Sequence, residues 1–353
     1  MYFHLSAMKG KMGGRIYYSA LMPMKAIPQF FKFTDWEGFT PEDRAQRILE
    51  DKRIPALTRY IVDNDDAYIF SSITASYKGI PEFEPNKTGD NDSSTDIGIL
   101  KIMAGDELII NDGQHRCAGI VKALEENPAI GNDSISVILF PYENHERMQQ
   151  MFSDLNRFVK KTAKSLDILF DKRDVIAAAT VAAMDELPVF SNLVDKENNM
   201  LRVKSTKLFT LSAYYDANRD LLKGREKEKV VANAAFLADY WAEVIKHMPD
   251  WTAVLGRHKE ARELRAETIS SHSTVLRSLG GLGLELMKND DWRERLSRLE
   301  NINWSKKNSE WENICIVANS VVSNRQARAA TKSYIKNNLG MKLTDAEQRS
   351  LEK

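Results

Sequence analysis

Asp112, Gly113, Gln114, His115 and Arg116 stand in a row, and each brings a group suited to phosphate chemistry. The Asp112 carboxylate can hold a metal ion or act as a base, and the His115 imidazole can move a proton. These two are the catalytic candidates, with Asp112 also the metal candidate. Gly113 has no Cβ and lets backbone approach an anion closely. Gln114 offers an amide, and the forked guanidinium of Arg116 matches phosphate oxygens. These three are the phosphate- or nucleotide-binding candidates, and ATP or another NTP with Mg²⁺ is the cofactor they would take.

Such groups need a frame. Leu108 to Ile110 reads as a buried strand, and Asn111-Asp112-Gly113 punctuates it. From Gln114 to Glu126 the apolar residues Cys117, Ile120, Val121 and Leu124 recur at helical spacing. A strand, a glycine turn and a helix start together present free backbone N–H groups to an anion. The plainer alternative is a tight turn with Arg116 in solvent. Against it stands electrostatics: the helix dipole disfavours His and Arg in a first turn, a cost that a bound anion would offset.

The pentapeptide resembles the motif that names the DGQHR-domain family. Three further stretches are similar to signatures of one branch, the DndB family of DNA sulfur modification proteins. They are Gln46–Ile54 ahead of Tyr60-Ile61-Val62, Met151–Arg157, and Ser205–Leu211, so the likeness runs from about residue 15 to the C-terminus. The resemblance implies a ParB-like mixed α/β N-terminal domain, distantly akin to the ParB and sulfiredoxin superfamily, with NTP binding or hydrolysis. It implies a cytoplasmic regulator of DNA phosphorothioation that binds double-stranded DNA in its operon promoter region as a repressor. Other DNA sulfur modification proteins, or a second copy of the chain, are the further partners. The alternatives are a ParB-like NTPase or nicking enzyme, and a scaffold for modification enzymes.

The resemblance also places Asn156 and Arg157 in the same cleft as phosphate- or nucleotide-binding residues. By composition alone they read as structural, Asn156 as a cap and Arg157 as the partner of a nearby acid. Sulfiredoxin chemistry is not expected, because Gln114 stands where the reactive cysteine would precede the His-Arg pair. Cys117 follows the arginine, on the apolar stripe, and reads as a core residue. Ser205 or Thr206 is expected to cap the helix that follows.

The 353 residues carry 50 basic and 50 acidic side chains, so overall charge does not favour nucleic acid as a partner. Local charge does. Lys9, Lys11, Arg15, Lys25 and Lys32 precede the first acid, Asp35. Arg157, Lys160, Lys161 and Lys164 form a second basic run, and Arg325, Arg328, Lys332, Lys336 and Lys342 a third, free of acids. Lys160, Lys161, Arg325, Arg328, Lys332 and Lys336 are the DNA-binding candidates. Solvated helix faces are the alternative. Two cysteines make no disulfide framework. No apolar stretch nears the ~20 residues of a membrane span.

Mixed strands and helices up to residue 144, then helices from 145 to 353, predict an α+β chain of two domains. The N-terminal expectations are a strand from Arg15 to Met22, a helical segment from Pro41 to Val62 broken at Pro55, and a strand from Tyr68 to Tyr77. A loop over residues 81–96 and a hairpin of residues 97–103 with 108–110 follow. Helices are expected at 145–156, 163–185, 205–222, 227–247, 256–288, 291–300, 309–323 and 325–338. Gly280, Gly281 and Gly283 should bend or split one of them. The tryptophans at 241, 251, 292, 304 and 311 read as core.

Overall fold

The computed structural model describes residues 2–31, 53–79, 81–88, 93–103, 105–106, 108–157, 162–318 and 320–351. The chain divides into two compact units, Met1–Lys160 and Lys161–Lys353. The first takes in the helix His145–Arg157, which lies beyond the change of composition near residue 144. Its buried Met148 and Met151 belong to that unit, and Met151 touches the sheet.

The first unit is built on strands β1 (Tyr2–Met12), β2 (Arg15–Pro23), β3 (Ile73–Tyr77), β4 (Glu82–Thr88), β5 (Ser93–Met103), β6 (Leu108–Asp112) and β7 (Ser134–Pro141). Their order is β4-β5-β1-β2-β7-β3-β6. Neighbours run antiparallel except β3 and β7, which are parallel. Alternate residues are buried in the middle of β1, at Leu5 and Ala7, and in the second half of β2, at Tyr18, Ala20 and Met22. All five residues of β3 are buried, as suits an interior strand covered on both faces. The helices Arg53–Val62 and Gln114–Glu126 pack together at Gly119, where a Cβ would come within 2.8 Å of Leu57 Cβ.

Several expectations needed tertiary information. Pro55 does not break its helix; it falls in the first turn of Arg53–Val62, where its missing N–H has no intrahelical partner to lose. The part of the expected helix before Arg53 lies outside the described residues. Residues 82–88 are a strand rather than part of a loop, at the sheet edge where Pro85 is tolerated beside a register shift. β5 and β6 are not a hairpin: β5 pairs with β1 and β4, and β6 with β3 at the far edge. β3 is shorter than the expected 68–77 strand, and β1 was not read from the sequence at all.

The second unit is helical. Its core joins Phe190, Phe209, Tyr214, Trp241 and Trp251 through ring contacts between 4.2 and 6.1 Å. The tryptophans at 241, 251, 292, 304 and 311 are all buried. Two expected long helices are each divided, into Lys164–Phe170 with Val175–Glu186 and Ala261–Glu267 with Ser273–Leu286. Segment 309–323 is a 3-10 turn and a two-stranded ribbon rather than a helix. The glycines do not split Ser273–Leu286. A Cβ at Gly280 would collide with the Ala217 carbonyl, and one at Gly283 would lie 2.6 Å from Leu221 Cδ1. The glycines thus let a neighbouring helix, Leu211–Leu221, approach closely. No helix among the described residues is long and apolar enough to cross a membrane.

Candidate functional site

The motif occupies the junction of β6 and the helix Gln114–Glu126. Gly113 is the N-cap, with φ 109° and ψ 15°, a conformation L side chains rarely adopt. A Cβ there would come within 3.2 Å of Arg116 Nε, Arg116 Nη2 and Ile73 Cγ1. Only glycine suits both the turn and the tight lie of the arginine. No side chain caps this helix, so its first-turn N–H groups keep their capacity for an anion.

Arg116 is not a free fork. Its Nη2 donates to Asp112 Oδ2 at 2.6 Å, and its Nη1 donates to the Ser71 hydroxyl and, at 3.3 Å, to the Ser71 carbonyl. The basic residue in the first turn is therefore compensated from within, by the carboxylate that ends β6. A bound anion is therefore not needed to offset its cost. The pair is only partly buried: 16% of the Arg116 side chain and 43% of Asp112 remain exposed. Gln114 Nε2 reaches the Ile110 carbonyl at 3.5 Å, and His115 lies half-buried on the first helical turn.

Asn111, just before the motif, is a part the sequence reading passed over. Thr74 pairs with Asp112 and Ala75 with Ile110, so Asn111 is the extra residue of a bulge in β6. It is fully buried. Its Nδ2 donates to Ser76 Oγ at 2.8 Å and lies 3.2 Å from Met151 Sδ, while Oδ1 has no partner among the described residues. An unpaired buried carbonyl costs about 1–3 kcal/mol. The available signal was an amide following three apolar residues where the strand should stay apolar. Ser71, which holds Arg116, gave no signal.

Cys117 is wholly buried, and its backbone N–H closes the first helical turn on the Gly113 carbonyl at 2.9 Å. Burial raises its thiol pKa far above the ordinary value, against the opposing charge of Arg116. It is a buried core residue in surroundings that disfavour the thiolate.

The second signature is tied to the motif through Met151 and Asn111. Asn156 does not join the motif residues; its Nδ2 bonds back to the Phe152 carbonyl at 2.8 Å, a local contact on an exposed helix end. Arg157 ends the same helix, exposed. Lys160 and Lys161 lie outside the described residues. In the third signature the helix is capped not by Ser205 or Thr206 but by Thr210, which accepts from Ala213 N at 3.2 Å.

The C-terminal basic run is divided by its surroundings. Arg325, Arg328 and Lys332 share a face of the helix Arg325–Asn338 and meet no carboxylate among the described residues. Lys336, one turn on, is a correction. It is 2% exposed and clasped by Glu285 at 2.6 Å and Glu347 at 2.9 Å, so it cannot reach a phosphate. Burial opposes its charge, but the two carboxylates outweigh that and hold its pKa above the usual lysine value.

A different basic element stands out in the first unit. β1 pairs with β5 only through Met8, and β2 with β7 only from Tyr18. Residues 9–17 therefore continue as a two-stranded ribbon, paired through Met12 and Arg15 and closed by Gly13 and Gly14, both at positive φ. Tyr17 packs across Gly10, and its ring lies 5.6 Å from Phe140. Arg15, beside the closing turn, lies 2.6 Å from Glu143 and over the Phe140 ring. Lys9 and Lys11 are exposed on one face and have no carboxylate partner among the described residues.

Among the described residues no group of three or more His, Cys, Asp or Glu side chains is placed to hold a metal ion.

No curated protein and no solved structure matches the chain, so the ParB likeness rests on the motif alone. One family does match, over nearly the whole length: DndB, described as DNA-sulfur modification-associated, across residues 5–342. With most of both units inside that match, the chain belongs to the DndB family of DNA-sulfur modification-associated proteins.

Proposed function

We propose that the chain is a double-stranded-DNA-binding regulator within DNA sulfur modification, a repressor acting at its operon promoter region. The observation that carries this reading is the acid-free ribbon of residues 9–17. A two-stranded β-ribbon fits the major groove, and phosphate contacts from Lys9 and Lys11 would supply affinity. Met12 and Ile16, 59% and 42% exposed at its end, add apolar surface of the kind that presses on base steps. Arg325, Arg328 and Lys332 offer further phosphate contacts.

The motif supports a second reading, nucleotide binding, because the first-turn N–H groups of Gln114–Glu126 lack a side-chain cap. In that reading a phosphate would sit on the helix end, and Asp112 would exchange Arg116 for Mg²⁺. The deciding experiment titrates promoter duplex and a scrambled duplex, with and without ATP and Mg²⁺. The regulator reading expects preference for the promoter without ATP turnover, and about tenfold weaker binding in Lys9→Ala/Lys11→Ala. Turnover that Asp112→Ala abolishes would favour the enzyme instead.

A further inference from the structure

Three helices of the second unit begin at the same end. Leu211–Leu221, Ser273–Leu286 and Arg325–Asn338 are capped by Thr210, His272 and Asn324. They run parallel. Gly280 meets Ala217 about two turns into each of the first two. Thr274 Oγ1 donates to the Val322 carbonyl at 3.0 Å, and Ser273 Oγ lies 3.4 Å from Ser323 Oγ, at the starts of the second and third. Parallel dipoles add, so this end carries summed positive potential. None of the three has an acid in its first turn, where acids are favoured.

A cavity of about 470 Å³ opens at this end. No aspartate or glutamate lines it. Its polar wall includes Arg265, His272, Ser271 and Ser273, and its apolar wall includes Leu208 and Phe209 from the third family signature. Arg265 is spread over the loop carbonyls of Arg202, Val203, Ser205 and Lys207 and meets no carboxylate among the described residues. Lys306 donates to the Arg265 carbonyl at 2.7 Å, again without an acid. Asp216, partly buried on the helix Leu211–Leu221, is already held by Lys164, Arg219 and Arg277 at 2.7 to 3.4 Å.

Two donors are left over. Ser271 is 6% exposed, and its hydroxyl has no hydrogen-bond partner among the described residues. His272 Nδ1 accepts from Thr274 N at 3.2 Å, which leaves Nε2–H as the donor of a neutral ring. Burial and the charge of Lys306 push its pKa down to about 4, so the ring stays neutral near pH 7.

We propose that this cavity binds a phosphate monoester of nucleotide size, its phosphate at the three helix ends and its body against Leu208 and Phe209. Converging helix dipoles, hydroxyls and cations suit a tetrahedral, multiply charged anion better than a flat carboxylate. The volume lies within the range of small-ligand sites. The proposal stands whether or not the ribbon binds DNA.

Calorimetry on the full chain tests it with adenosine 5′-monophosphate, adenosine, inorganic phosphate and benzoate. The monophosphate should bind with a Kd of about 0.1 mM or tighter, inorganic phosphate more weakly, and adenosine and benzoate not measurably. Ser273→Asp places a negative charge at a helix start, which favours the helix while repelling the ligand; binding should weaken at least about tenfold with no loss of Tm. Ser271→Ala should weaken it about tenfold through one lost charge-assisted hydrogen bond. No heat at millimolar monophosphate, equal binding of adenosine or benzoate, or full affinity in Ser273→Asp overturns the proposal. So does a response confined to duplex DNA, which would make the helix ends a DNA contact.

Discussion

The N-terminal ribbon and the C-terminal helix carry basic runs that look alike as strings of letters. Each belongs to a segment with five cations and no acid. In space they differ. Lys9 and Lys11 stand, exposed, on a ribbon that pairs with no third strand among the described residues. Lys336 is buried and neutralised by Glu285 and Glu347, one of them 51 residues earlier in the chain. A stretch without acids is therefore not a stretch without neutralising charge. The partner of a cation is chosen by tertiary contact, and only a cation left without one keeps its value for a polyanion.

The largest expected effect is on stability. Lys336→Ala removes a buried cation from two carboxylates and should cost about 2 kcal/mol, less than a fully buried pair because Glu285 is half-exposed. Urea unfolding measures it, while promoter affinity should not change. An unchanged midpoint with weakened DNA binding would erase the contrast between the two runs.

On the ribbon the pattern should reverse. Lys9→Ala/Lys11→Ala should lower the log–log salt slope of DNA binding by about two, one per lost phosphate contact. Its unfolding midpoint should hold to within ~0.5 kcal/mol. A slope that stays put would return these lysines to plain solvated surface.

Cys117→Ala sharpens the comparison from the motif side, where burial suppresses a reactive group rather than a cation. It should cost about 1 kcal/mol as a small core truncation, with DNA and nucleotide binding retained. Rapid thiol labelling of the native chain at Cys117, with lost function in the variant, would reverse that assignment.

The smallest effect is a pH dependence at the Lys336 clasp. Burial works to raise the Glu347 carboxyl pKa, but the Thr344 N–H and the Lys336 ammonium outweigh it and hold it below the usual carboxylate value. A depressed folded pKa stabilises above the unfolded value of about 4.3, and the gain fades as pH falls through the folded pKa. Tm scans from pH 6 to pH 3 should show wild type above Glu347→Gln at the upper end, and the two converging at the lower. Parallel curves would mean the clasp contributes no pH-linked stability.

Much of the motif was legible before any fold was known. The apolar run, the Asn-Asp-Gly turn and the helical stripe of Cys117 and Ile120 are local patterns, and local geometry obeys them. Gly113 takes the left-handed turn its type suggested, and Cys117 is in the core. The partners of Arg116 were harder. Asp112 is four residues away, within reach of any helical reading, yet Ser71 comes from a segment 45 residues earlier that only the sheet brings near.

The same division runs through the whole chain. The sequence by itself determined the class of structure, the position of the glycine turn and the burial of the tryptophans from 241 to 311, because periodicity and glycine chemistry act over a few residues. Tertiary structure alone decided that β5 and β6 lie apart, that Pro85 sits in an edge strand, that three helices start side by side, and which lysines keep their charge exposed. Those outcomes depend on pairings between residues far apart in the chain, and no window of sequence contains both members of such a pair.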